Sequence, residues 1–204
     1  MSSESCEPKR EAIIEGATRM FLKHGFHQVS MDKIAKEAPV SKATLYQHFE
    51  NKNALFSAVI FELCRSLLDT MAEITPDSND IKKNLREIAQ AFIDLIFTEE
   101  ALAIYRLVIA ECRDFPELGQ VVYDSAPKIA LTQLEHYLHN LKTSGHIDIP
   151  DIKFSADAFF SLLKGDLHFQ CLLGISAPPS SEQKRLLIDQ VIEFYLRGIL
   201  NATD

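Results

Sequence analysis

Apolar residues recur at i, i+3, i+4 and i+7 along most of this 204-residue chain, in segments of roughly 12–25 residues, and no long stretch alternates at period two. That periodicity excludes a sheet protein and predicts an all-α fold of about nine helices. The seven glycines and eight prolines fall mostly between the periodic segments. The first helix is expected from about Lys9 to His24, with Ile13, Ala17, Met20 and Phe21 inward and Gly25 at its end. Ser30 and Ser41 are expected to cap two short helices, the first stopping at Ala38 because the residue before Pro39 is pushed out of the α region. Asn51 opens a fourth helix that reaches a break at Thr75–Pro76. Further helices are expected at 80–98, 101–113, 118–142, 154–174 and 181–201.

No run of about 18 apolar residues is present to span a membrane, and the polar start MSSESCEPKREA has no apolar core of a signal peptide. The cytoplasm is therefore the expected compartment. Cys6, Cys64, Cys112 and Cys171 are far apart and form no CxxC, so they read as isolated, mostly packed thiols. Net charge is −8, unevenly spread: residues 1–52 carry 8 Lys and Arg against 7 Asp and Glu, and the remainder carries 13 against 22. A near-neutral head on an acidic body suits a focused contact with DNA rather than general nucleic-acid binding.

The stretch 30–49, SMDKIAKEAPVSKATLYQHF, reads as helix, tight turn and short helix, with Met31, Ile34, Ala35, Leu45 and Phe49 inward and Val40 in the turn. This is the spacing of a helix-turn-helix, whose second helix lies in the major groove. The outward positions of that second helix are Lys42, Ala43, Thr44, Tyr46, Gln47 and His48. All but alanine can donate hydrogen bonds to phosphates or base edges, and Ala43 can touch a thymine methyl. The bland alternative is a solvated polar face with an ordinary cap.

The segment REAIIEGATRMFLKHGFHQVSMDKIAKEAPVSKATLYQHFENKNALFSAV resembles the N-terminal domain of the tetracycline-repressor (TetR) family of bacterial regulators. The combination of AxxxF–GF, the IA pair, VSKATLYQHF and NK–ALF carries the likeness. Downstream, RLVIAECRDFPELGQVVYDSAP is similar to the AefR-like subgroup. The resemblance implies a helix-turn-helix DNA-binding domain over 1–52 and a helical effector-binding and dimerisation domain over 53–204. It implies a homodimer on double-stranded operator DNA, released by a small-molecule effector, with Ser30, Ser41, Lys42, Thr44, Tyr46, His48 and Lys52 facing DNA. Lys42, Tyr46, His48 and Lys52 are then assigned to phosphates, and Thr44 and Gln47 to base edges. The turn position occupied by Pro39 is often glycine in that family. A negative φ is expected here, because proline fixes φ near −65°.

The body is expected to line an effector pocket with Phe61, Cys64, Leu68, Phe92, Ile96, Tyr105, Arg106, Ile109 and Tyr123, although the same spacing serves a packed core. Arg106, in the apolar run LAIYRLVIAE, is expected to be buried, either paired with Glu111 or Asp94 or anchoring an anionic effector. The dimer is expected to use Phe159, Leu162, Leu163, Phe169, Ile188, Val191, Ile192, Tyr195 and Ile199, since a helix apolar on all sides needs neighbours on all sides. His168 with Cys171, and His136 with His139, could each begin a metal site but lack a completing set. No metal or cofactor is expected. The phosphate-loop, dinucleotide-loop, HExxH, ExxH and GxSxG patterns are all absent, so no enzyme is expected. A cysteine-based redox trigger is the other regulatory reading, and it would need an accessible low-pKa thiolate.

Overall fold

The computed structural model describes residues 7–74 and 80–200, so the expected break at Thr75–Pro76 and the thiol of Cys6 lie outside the described residues. Ten α-helices and no strand are found among the described residues: α1 Glu7–Gln28, α2 Met31–Glu37, α3 Lys42–His48, α4 Lys52–Glu73, α5 Ile81–Ile96, α6 Glu99–Glu111, α7 Pro116–Ser125, α8 Pro127–Thr143, α9 Ile152–Leu172 and α10 Ser181–Leu200. The all-α expectation holds. The helix expected over 118–142 is instead two helices, α7 and α8, separated at Ala126 (φ −150°, ψ −42°). The cause is the rule already applied at Pro39: Pro127 drives its predecessor out of the helical region.

The residues divide into two compact units. One holds the described residues up to Leu63 with Ala103–Ala126, and the other holds Cys64–Leu102 with the described residues from Pro127 onward. Two helices, α4 and α6, contribute residues to both.

In the first unit, α1 packs on α2 and α2 on α3. Its centre is a cluster of three rings, Phe21, Phe26 and Phe56, with centroids 5.0–5.5 Å apart. Ile13, Ala17, Ile34, Leu45 and Leu55 are also fully enclosed. Each large apolar side chain buried this way stabilises the unit by about 1.5–3 kcal/mol. Gly16 lets the end of α2 approach α1 closely: a Cβ there would meet the Ala38 Cβ at 3.1 Å and its backbone at 3.3 Å.

Three helices, α2, α8 and α9, end with the same hydrogen bond, from the N–H two residues past the cap to a carbonyl five residues back. The pairs are Val40 to Ala35 (3.1 Å), His146 to Leu141 (2.9 Å) and Ile175 to Gln170 (2.9 Å). This closure needs a left-handed residue just after the cap. Gly145 and Gly174 supply it with φ near +72°, and in α2 the position belongs to Pro39, at φ +20°. The expected negative φ at Pro39 is therefore corrected. Pro39 stands where the other two closures place glycine, and a left-handed φ there is strained for proline. Helix α2 still stops before Val40, so the turn survives.

In the second unit, α5 packs its apolar face on α9 and α10, and α8 packs on α9. Leu85, Ile88, Ile93, Phe159, Leu163, Ile188 and Ile192 fill the centre. The buried Asn84 is not wasted there, since its amide donates to the Tyr137 hydroxyl at 3.0 Å. Gly165, at φ +54° and ψ −165°, breaks α9 internally.

Candidate nucleic-acid interface

Helix α3 is built to present one face. Ser41 caps it, its Oγ accepting the Thr44 N–H at 3.0 Å, and the two hydroxyls lie 2.7 Å apart. Ser30 caps α2 in the same way, accepting the Lys33 N–H at 3.3 Å. Leu45 is the one buried residue of α3, and Phe49 behind it is buried as well. Lys42, Ala43, Tyr46 and Gln47 are exposed, while Thr44 and His48 are half-buried. A helix with its side chains is about 10–12 Å across, which suits a groove about 12 Å wide. Four of the six outward positions expected from sequence are thus exposed, and Thr44 and His48 are partly covered.

Two of the lysines are already engaged. The Lys42 ammonium lies 2.7 Å from an Asp32 carboxylate oxygen across the turn, and that hydrogen bond with its charge attraction raises the lysine's pKa. Both groups are well exposed, so the pair is weak and exchangeable for a phosphate. Lys52 is different. Its Nζ donates to the carbonyls of Phe26 (2.8 Å), Val29 (3.0 Å) and His27 (3.4 Å), and it lies 4.3 Å from the Phe26 ring centroid. Burial lowers its pKa, and the nearby Glu111 charge works the other way. The assignment of the Lys52 ammonium to a phosphate is therefore corrected, because three backbone carbonyls saturate its three donors. The sequence showed a lysine at a helix start but gave no sign that the α1–α2 turn would fold back over it.

The effector candidates do not converge as expected. Phe61, Ile109 and Tyr123 are exposed, Cys64 and Tyr105 are half-buried, and Leu68, Phe92 and Ile96 are core. Arg106 is exposed rather than buried, so the premise of its anchoring role fails. Of the two acids offered for it, Glu111 accepts the backbone N–H groups of Phe26 and His27, and Asp94 binds Lys184 at 2.9 Å. An open groove of about 940 Å³ along α4 and α5 is lined by Ser66, Thr70, Asn84 and Glu87 among others, and by none of the nine candidates.

The dimer candidates need a larger correction. Phe159, Leu163, Ile188, Val191, Ile192, Tyr195 and Ile199 are buried within the chain itself. They fill the α5–α9–α10 core, where the Tyr195 hydroxyl donates to the Ser155 carbonyl at 2.9 Å and its ring meets Phe159 edge-on. Leu162 is half-buried and Phe169 is exposed. The apolar side chains left outside on α9 and α10 are Phe154, Phe169, Leu186, Phe194 and Leu200.

Among the described residues no three His, Cys, Asp or Glu side chains come together as a metal site. His136 and His139 are exposed, and Cys171 donates to the Ala177 carbonyl. Burial pushes the Cys64 thiol up to about 11, the opposite of a sensor thiolate. No helix among the described residues is long and apolar enough to cross a membrane.

A capped two-helix turn presenting one polar helix, set in an all-α chain, defines the class of helix-turn-helix DNA-binding regulators. The family follows from comparison. Residues 13–59 match the model described as bacterial regulatory proteins of the tetR family, and residues 83–198 match the AefR-like transcriptional repressor C-terminal domain. The second match covers more than half of the chain, and the chain belongs to the TetR family. It is similar to a TetR-family regulator structure from Mesorhizobium loti, with 26% identity, 95% of this chain and 98% of that one covered, and a TM-score of 0.79. It is also similar to the flavonoid-responsive regulator FrrA, with 29% identity, 97% and 100% covered, and a TM-score of 0.75. The HTH-type transcriptional activator FasR of Mycolicibacterium smegmatis is 33% identical over 102 residues, which is 50% of this chain and 46% of FasR. The chain therefore spans about half the length of that relative. The proteins it matches carry the names of transcriptional regulators, not enzymes.

Proposed function

We propose that this TetR-family regulator acts as a homodimeric repressor that reads a palindrome-like operator with α3 and releases it when an effector binds the body. Residues 1–52 would carry the reading head, and 53–204 the effector and dimer functions. The observation that carries the reading is the outward face of α3, where Lys42, Ala43, Tyr46 and Gln47 stand exposed above a single buried leucine. Lys42, Tyr46 and His48 would hold phosphates, and Thr44, Gln47 and Ala43 would meet base edges. Ser30 and Ser41 would serve through their caps. Repression is the proposed sense because the matched C-terminal family model is described as that of a repressor. The second subunit would cover the exposed apolar residues of α9 and α10, with Phe169 and Phe194 central.

The effector is the finer part of the proposal. Among structural relatives, FrrA is described as flavonoid-responsive, and the Bacillus subtilis FadR structure holds stearoyl-CoA. Flavonoids and long-chain acyl-CoAs are therefore the first two classes to screen, read as loss of DNA affinity. The DNA reading is tested by selecting duplexes from a random pool with the purified protein, then measuring anisotropy across a salt series beside Tyr46→Ala. A preferred duplex, bound more weakly with rising salt and lost in the variant, is the expected result. Equal weak binding to every duplex would refute it.

A further inference from the structure

Helices α4 and α6, the two that contribute residues to both units, each end on the same short stretch, Gly25–Val29, where Gly25 kinks α1 near its end. The start of α4 sends the Lys52 ammonium to the carbonyls of Phe26, His27 and Val29. The end of α6 sends the Glu111 carboxylate to N–H groups of the same stretch: Oε1 accepts the Phe26 N–H at 2.8 Å, and Oε2 accepts the His27 N–H at 3.0 Å. Each carboxylate oxygen thus has its own donor, from residues 84 and 85 positions earlier in the chain. The backbone is shaped for this contact. Gly25 sits at φ +77°, and a Cβ on it would run into Glu111 Oε1. The His27 ring stacks on Phe115, four residues beyond Glu111, at 4.6 Å between centroids and 22° between planes. Three residues beyond His27 is Ser30, the cap of α2.

We propose that Glu111 is a positioning residue for DNA reading: it fixes the α1–α2 turn against the end of α6 and so sets the pose of α2 and α3. The proposal rests on the reading of α3 as the DNA-contacting helix. Glu111 has no place on the α3 face, and it acts through the backbone of Phe26 and His27. A change in the position of α6 would then reach the reading head through two charge-assisted hydrogen bonds.

The sign of the test separates positioning from simple charge. Removing a negative charge from the protein would, by long-range electrostatics alone, strengthen its binding to a polyanion. Loss of positioning weakens it. The test uses the full chain and the duplex selected by the wild-type protein, with Glu111→Gln compared at a temperature where both proteins are fully folded. Affinity is expected to fall about tenfold, as for loss of hydrogen bonds to a charged group. The Phe26 and His27 amides are expected to exchange faster, with the salt slope unchanged because no phosphate contact is lost. If Glu111→Gln fails to fold, Glu111→Asp, which keeps the charge but shortens the reach, is measured instead and is expected to lose affinity in the same direction. Affinity within twofold of wild type, or tighter binding, in whichever variant folds would overturn the proposal. A wild-type protein that selects no duplex would sink the DNA reading itself, and this inference with it.

Discussion

Helix α3 buries one residue, Leu45, whereas α10 buries six, from Ile188 to Ile199, and still leaves Leu186, Phe194 and Leu200 exposed. The two helices show what a sequence pattern can and cannot assign. In α3 the apolar minority must point inward, so the polar majority is left on the surface. In α10 apolar residues lie on more than one face, and periodicity identifies the dominant stripe without saying what covers it. That stripe belongs to the core of the same chain. The apolar residues α10 leaves on the surface are scattered, Phe194 the most exposed of them.

The comparison breaks most visibly if its two kinds of apolar residue behave alike. Phe159→Ala, in the α9–α10 core, is expected to cost about 3–5 kcal/mol of stability, read as a lower urea midpoint. Phe194→Glu on the outer face is expected to leave the fold of the subunit intact while shifting the molar mass in light scattering from dimer to monomer. If Phe194→Glu instead unfolds the chain and the dimer survives Phe159→Ala, the assignment of faces is reversed.

The head offers smaller and sharper tests. Gly16→Ala pushes a methyl against Ala38 and is expected to destabilise by about 1–3 kcal/mol, through overpacking between α1 and the end of α2. Pro39→Gly is expected to act in the other direction, raising stability by about 1 kcal/mol. It relieves the left-handed strain at that position and restores an N–H that the helix closure can use, against the extra freedom of glycine in the unfolded chain. The selected DNA sequence should not change. A lower melting temperature in Pro39→Gly would mean that the ring stabilises the turn by limiting the unfolded ensemble more than it strains the fold.

A further test concerns Cys64 and carries the smallest effect. Its thiol is held near 11 by burial, so its contribution to stability is fully present below the ordinary thiol range and is lost as pH rises from about 9 towards 11. At neutral pH, native protein is expected to resist thiol alkylation at Cys64, with labelling appearing only on unfolding. Rapid labelling at pH 7 would reopen the oxidant-sensing reading.

Local rules carried the sequence a long way. Serine caps at 30 and 41, Asn51 before α4, and the inward set Met31, Ile34, Ala35, Leu45 and Phe49 depend on neighbours within one or two turns, and each stands where the pattern placed it. The split of α7 from α8 is equally local, written in Ala126–Pro127, although the apolar period continues across it. What no local rule could supply was pairing between distant residues. Arg106 sits in an apolar run yet faces solvent, because the face of α6 it occupies is not one the fold covers. Lys52 and Glu111 look like ordinary helix-end charges, and only the folding of the Gly25–Val29 stretch between them gives each its backbone partners. By itself the sequence determined an all-α chain with a helix-turn-helix head, because caps, turns and amphipathic period are short-range physics. The tertiary structure alone decided which apolar faces became core, what Pro39 had to tolerate, and which backbone groups Lys52 and Glu111 meet, because those outcomes depend on elements meeting across many tens of residues.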